Sequence, residues 1–165
     1  MIINLLELRS NTQKVNDINF EFTHEPINFE GEVFTPLETI KVSGTVKAYG
    51  DVTELNLSVN TVLETSCSRC LENFSFPIEL TIGEKFTNKS TIEDEDVIFV
   101  EGDTLDITEV VMNDVISTLP IKRLCSEGCK GLCSSCGTNL NKGACKCENI
   151  QIDSRLEALK NFFTE

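Results

Sequence analysis

At 165 residues and 40% hydrophobic content, the chain is long enough to bury one sizeable core with a small appendage. Its 27 acidic against 14 basic side chains give a formal net charge of −13, which repels a phosphate backbone, so any RNA contact has to come from a local patch. No stretch approaches the ~18 apolar residues of a membrane span, and the apolar start from Met1 to Leu8 is too short for a signal-peptide core and follows no basic residue. A cytoplasmic protein with no membrane partner is expected, its acidic surface suited to basic proteins or simply to solubility.

Phe20, Phe22, Phe29, Val33 and Phe34 supply aromatic and β-branched residues for one or two short early strands. From Ile40 to Tyr49 apolar and polar residues alternate, Gly50-Asp51 reads as a turn, and Leu55 to Leu63 alternates again, the pattern of a sheet buried on one face. Phe74 to Phe86 predicts a third strand, interrupted at Pro77 and Gly83. Glu93 to Asp96 is an acidic loop. A helix is predicted from Asp106 to Leu119, capped by Asp106 with Glu109 completing a capping box, its face marked by Ile107, Val110, Val111, Val115 and Leu119, and ended by Pro120. A last short helix starts near Asp153, with Leu156, Leu159, Phe162 and Phe163 on one side. The predicted class is therefore α+β. A strongly curved antiparallel sheet spans roughly residues 1–90, one helix packs on it, and a zinc-stabilised cysteine-rich C-terminal segment ends in the short helix. The expected division is a β-rich core over 1–120, containing helix 106–119, and a cysteine-rich segment over 121–165.

The eight cysteines carry the chemistry. In a reducing compartment disulfides do not persist, and clustered thiols bind metal or do redox work. In Cys133-Ser-Ser-Cys136-Gly137 the two-residue spacing lets both sulfurs face one cation, and Gly137 accepts the positive φ that such a turn demands. Cys145 and Cys147, two apart, project from one face of an extended segment. These four predict a closed structural zinc site with sulfurs about 2.3 Å from the ion. Its binding free energy, on the order of 10 kcal/mol, is also folding free energy for a loop poor in large apolar residues. A second site is possible from Cys67, Cys70, Cys125 and Cys129, so one or two ions are expected. Leu71 stands where a glycine would follow this knuckle, Cys129 could instead replace one of the later cysteines, and Cys67 with Cys70 could be a buried or redox-active pair. Redox chemistry as the main role is disfavoured, because neither CxxC sits between a strand and a helix in a βαβ setting.

Between Ile121 and Cys147, Lys122, Arg123, Lys130, Lys142 and Lys146 face Glu127 alone, a local excess of four positive charges. A zinc held by four thiolates carries a formal charge of about −2 and accounts for part of it. Stacking aromatics are absent from the segment, so base readout is not supported. His24 is the lone histidine, and neither a phosphate loop nor a nucleophile elbow is present, so no catalytic residue and no small-molecule substrate is suggested.

Cys67-Ser-Arg-Cys70, Asp106-Ile-Thr-Glu-Val-Val with Leu119-Pro120, the run from Leu124-Cys125 through Cys133-Ser-Ser-Cys136 to Cys145-Lys-Cys147, and Ile152-Asp153 through Leu159 come in an order that resembles the YceD family over most of the chain. The resemblance implies a cytoplasmic factor needed for accumulation of large-subunit ribosomal RNA. The expectation is thus a non-enzymatic assembly factor that binds a large-subunit ribosomal RNA precursor or a ribosomal protein. A thiol-based redox or zinc-responsive regulator is the alternative.

Overall fold

The two alternating runs form the centre of the sheet. In the computed structural model, which describes residues 1–10, 15–90 and 94–147, β5 (Ile40–Tyr49) and β6 (Val52–Ser66) pair antiparallel around the Gly50-Asp51 turn, with Tyr49 opposite Val52 and Lys41 opposite Asn60. Along β6 the odd positions Leu55, Leu57, Val59 and Leu63 are sealed in the core, while Asn56, Ser58 and Asn60 face solvent. Gly44 is dictated by contact: a Cβ there would lie 2.0 Å from the Asn56 carbonyl oxygen.

Five further strands extend this hairpin among the described residues. β2 (Asn16–Phe22) pairs with β5, and β3 (Ile27–Phe29) pairs with β4 (Glu32–Pro36). β4 continues along the same side of β6 that β5 occupies, with Thr35 opposite Glu64. β7 (Asn73–Thr87) takes the other side of β6 over its whole length, and a short β8 (Val97–Phe99) adds to β7 in parallel. Among the described residues the sheet remains open. A separate two-stranded sheet joins β1 (Ile2–Asn4) to β9 (Thr104–Asp106).

Three expectations need correction. The third long strand is not interrupted: β7 runs straight through Pro77 and Gly83. Val62, opposite Pro77, turns its carbonyl away to accept from the Leu37 N–H at 2.9 Å, so the Val62–Pro77 pair makes no ladder bond and the missing proline N–H costs nothing. The N-terminus is not all strand, because α1 (Leu5–Ser10) follows β1, with the Asn4 side chain accepting from the N–H groups of Leu6 (2.9 Å) and Glu7 (3.3 Å). And β8 is parallel, in a sheet expected to be wholly antiparallel.

The predicted helix is α2 (Ile107–Ser117), and Asp106 caps it by accepting from the Thr108 N–H at 2.9 Å. No bond from Glu109 completes a capping box among the described residues; Met1 contributes its ammonium to Asp106 and Thr108 instead. Ile107, Val111 and Val115 bury their side chains fully where α2 packs against β7 and β1. The predicted helix near Asp153 lies outside the described residues. Among the described residues no helix is long and apolar enough to cross a membrane.

Candidate metal centres

Two loops in different parts of the chain repeat one backbone geometry. Cys67–Glu72 leaves β6, and Cys133–Thr138 lies in the C-terminal segment. In the first, the Cys67 N–H donates to the Glu72 carbonyl (2.9 Å) and the Leu71 N–H to the Cys67 carbonyl (2.9 Å). In the second, the Cys133 N–H donates to the Thr138 carbonyl (2.8 Å) and the Gly137 N–H to the Cys133 carbonyl (2.9 Å). The residue after the second cysteine is left-handed in both, φ 59° at Leu71 and 72° at Gly137. Leu71 therefore adopts the glycine conformation despite its Cβ, and the departure from the expected glycine is a local strain, not a different loop.

Each loop meets a second pair of thiols. Cys67 and Cys70 converge with Cys125 and Cys129 from the segment after α2, and Cys133 and Cys136 converge with Cys145 and Cys147; within each set all four Sγ atoms lie within 4.8 Å of one another. Cys67 and Cys129 are 3.8 Å apart and Cys70 and Cys125 3.7 Å. A tetrahedron of sulfurs about 2.3 Å from a central ion has an edge of about 3.8 Å, whereas a disulfide needs a sulfur separation of about 2.05 Å. All eight thiols are free. Cys129 thus lies with the sheet-derived pair and replaces none of the later cysteines.

The thiols also divide electrostatically. Burial works to raise Cys67, but N–H groups of Cys125, Cys70 and Arg69 outweigh it and hold the thiol at about 6. Cys133 is likewise held at about 6 by N–H groups of Cys136 and Ser135. Cys129 is lowered chiefly by the Asn141 amide, and Cys136 by the Thr138 hydroxyl. Two partners go the other way: Cys125 is pushed up to about 12, mainly by Cys129, and Cys147 to about 12, mainly by Cys136. Four thiolates this close do not ionise together unaided, and a dication at the centre removes the conflict. The donor set and spacing fit a closed site for a soft or borderline dication with no open position.

Contacts around the sulfurs join the two sets into one body. Arg69 donates from Nη1 to the Cys129 carbonyl at 2.9 Å, and Asn141 donates from Nδ2 to the Cys129 Sγ at 3.3 Å while accepting from the Lys130 N–H at 2.7 Å. The Leu132 N–H donates to the Arg69 carbonyl at 3.1 Å, and Gly131 lets the strands approach, since a Cβ there would sit 3.0 Å from that same oxygen. Phe74, Leu124 and Leu132 pack around Cys67, Cys70 and Cys129. Sequence reasoning missed Arg69, Thr138 and Asn141 as supports. Nothing local in the sequence signals that the Asn141 amide contacts a sulfur twelve residues earlier.

The basic excess of the segment is partly consumed inside the fold. Arg123 pairs with Glu32 at 2.9 Å and Lys142 pairs with Glu72, leaving Lys122, Lys130 and Lys146 exposed without an ion pair among the described residues. His24 is exposed between β2 and β3, its Nδ1 2.7 Å from the Glu25 carbonyl.

The family model described as "Large ribosomal RNA subunit accumulation protein YceD" matches residues 55–163, a span that holds both cysteine sets. The chain is 28% identical over 132 residues to the uncharacterized protein YlbN of Bacillus subtilis, covering 78% of this chain and 77% of that protein. It is 28% identical over 168 residues to the chloroplastic large ribosomal RNA subunit accumulation protein YCED homolog 1 of Arabidopsis thaliana, covering 74% of this chain but 52% of the plant protein. An uncharacterized protein of Mycobacterium tuberculosis is 32% identical over 80 residues, 45% of this chain and 38% of its own length. No solved structure matches. The chain belongs to the YceD family of large ribosomal RNA subunit accumulation proteins.

Proposed function

We propose that the protein is a cytoplasmic, non-enzymatic factor for accumulation of large-subunit ribosomal RNA, that it acts by binding a precursor RNA or a ribosomal protein, and that two structural zinc ions hold its binding surface in shape. The observation that carries the zinc half is the convergence of two four-thiol sets at tetrahedral spacing, which fits a closed site with no position left for substrate. The ribosomal half rests on the family match and on the name of the plant relative. A net charge of −13, with only three unpaired cations described on the cysteine segment, favours a basic protein over RNA as the direct contact.

Depletion followed by sucrose-gradient profiling tests the ribosomal reading. Loss of large subunits with accumulation of precursor is expected, and unchanged levels of both would overturn it. Zinc per chain on protein purified without chelator tests the metal reading, with a value near two expected. The exposed thiols of the second set, Cys136 and Cys147, are the observation that favours a redox or zinc-responsive regulator instead. Gentle oxidation separates the two, because closed zinc sites resist it and a reactive pair forms a disulfide without unfolding.

A further inference from the structure

Away from the cysteines, a depression of about 450 Å³ opens where β8 and β9 meet the first turns of α2. Its floor is apolar, built from Phe86, Val100, Leu105 and Val110, and its walls are Ile2, 67% exposed, and Ile98, 45% exposed. Large aliphatic side chains that far into solvent, beside a cavity floor of the same chemistry, mark a surface that a partner covers. The rim is acidic: Glu101, Asp106 and Glu109 line it, and no lysine or arginine does. Asp106 is engaged by the Met1 ammonium and the Thr108 N–H, whereas Glu101 and Glu109 hold no ion pair among the described residues. The chain leading into β8 adds Asp94, Glu95 and Asp96, and α2 carries no basic residue.

We infer that this groove docks a basic amphipathic protein segment, one that sets apolar side chains on the floor and lysines or arginines against Glu101 and Glu109. Charge complementarity decides the occupant. An apolar segment alone gains nothing from two unpaired carboxylates, a nucleic acid is repelled by them, and a second copy of this chain brings its own negative charge to the same place. Helix-in-groove or strand-in-groove recognition both need such an apolar strip with charges along one edge.

The test is a nuclear magnetic resonance titration of the full-length chain with a designed peptide of alternating leucine and lysine clusters, beside a leucine–glutamate peptide of the same pattern. Shifts confined to Ile98, Val100, Glu101, Glu109 and Val110 are expected with the lysine peptide only, with affinity falling as salt rises. Glu101→Lys with Glu109→Lys is expected to weaken binding at least about tenfold, and Glu101→Gln with Glu109→Gln by less. Ile98→Ser is expected to weaken it at unchanged salt dependence. Equal binding of the two peptides, shifts that map to the cysteine segment, or groove shifts that follow chain concentration without peptide would each overturn the inference, the last by assigning the groove to a second copy. The purified chain alone is used, so peptide binding and the ribosomal phenotype fail independently.

Discussion

The two cysteine sets share one loop geometry and differ in where they sit. Cys67, Cys70 and Cys129 are buried and packed by Phe74, Leu124 and Leu132. In the other set Cys136 and Cys147 are exposed and only Cys133 and Cys145 are half-buried. The buried set takes two ligands from the loop after β6 and two from the segment after α2, so it ties the sheet to the tail. The exposed set takes all four from the fifteen consecutive residues 133–147, so it closes only a short loop. Identical local chemistry therefore serves a long-range cross-link in one place and a local fold in the other, and the entropy removed by closing the longer loop makes the first the larger stabiliser.

Cys67→Ser should show this most strongly. It removes a ligand from the buried set and leaves three thiols crowded in an apolar cluster, so a loss of more than about 3 kcal/mol in global stability is expected, along with one zinc per chain. Cys136→Ser should also lose one zinc but leave the melting of the sheet nearly unchanged. Thermal melting beside metal analysis reads both, and equal losses of stability would erase the distinction between the sets.

Removing metal exposes the electrostatic conflict that both sets share. In the zinc-free, reduced chain, Cys67 and Cys133 should ionise near 6, and Cys125 and Cys147 only near 12. The lowered groups contribute stability that is fully present above the ordinary thiol value of 9.0 and is lost as pH falls through about 6. The raised groups contribute stability that is fully present below 9.0 and is lost as pH rises toward 12. The contribution of these four thiols to zinc-free stability should thus peak near pH 9, and their thiolate absorbance should rise in two separated steps. A single step near 9, as in urea, would mean that the thiols do not converge without metal.

Asn141→Ala addresses the link between the sets. Its amide is the described donor to the Cys129 sulfur from the other set's segment, and losing it should weaken zinc at the buried site about tenfold with about 1 kcal/mol of stability. Competition with a chromophoric chelator measures this; unchanged affinity would show the two sets to be independent.

Much of this was legible because spacing and alternation are local. The CxxC pairs, the hairpin around Gly50 and the Asp106 cap each follow from a few adjacent residues. What escaped depends on distant partners. Pro77 breaks a strand on propensity alone, and only the direction of the Val62 carbonyl shows that its missing N–H faces away from β6. β1, β8 and β9 are three residues each, too short for a period to register; β8 forms on the edge of β7, and β1 and β9 form only by pairing with each other across the chain. Which thiols come together was left open by the sequence and follows from β6 delivering Cys67 beside Cys129.

The smallest effect gives the sharpest comparison of the two loops. Leu71 is 67% exposed, so its side chain contributes little burial, yet its φ of 59° costs about 1–2 kcal/mol that Gly137 does not pay. Leu71→Gly relieves that strain but admits about 0.5–1 kcal/mol of extra freedom in the unfolded chain. A net gain of up to about 1.5 kcal/mol is expected, read as a small rise in melting temperature with zinc content unchanged. Gly137→Ala imposes the reverse at the exposed set, a local loss of about 1 kcal/mol that leaves the sheet intact. If Leu71→Gly destabilises instead, the leucine holds a contact that the shared hydrogen-bond pattern of the two loops does not reveal, and the first loop has been shaped by something other than the convergence of its thiols.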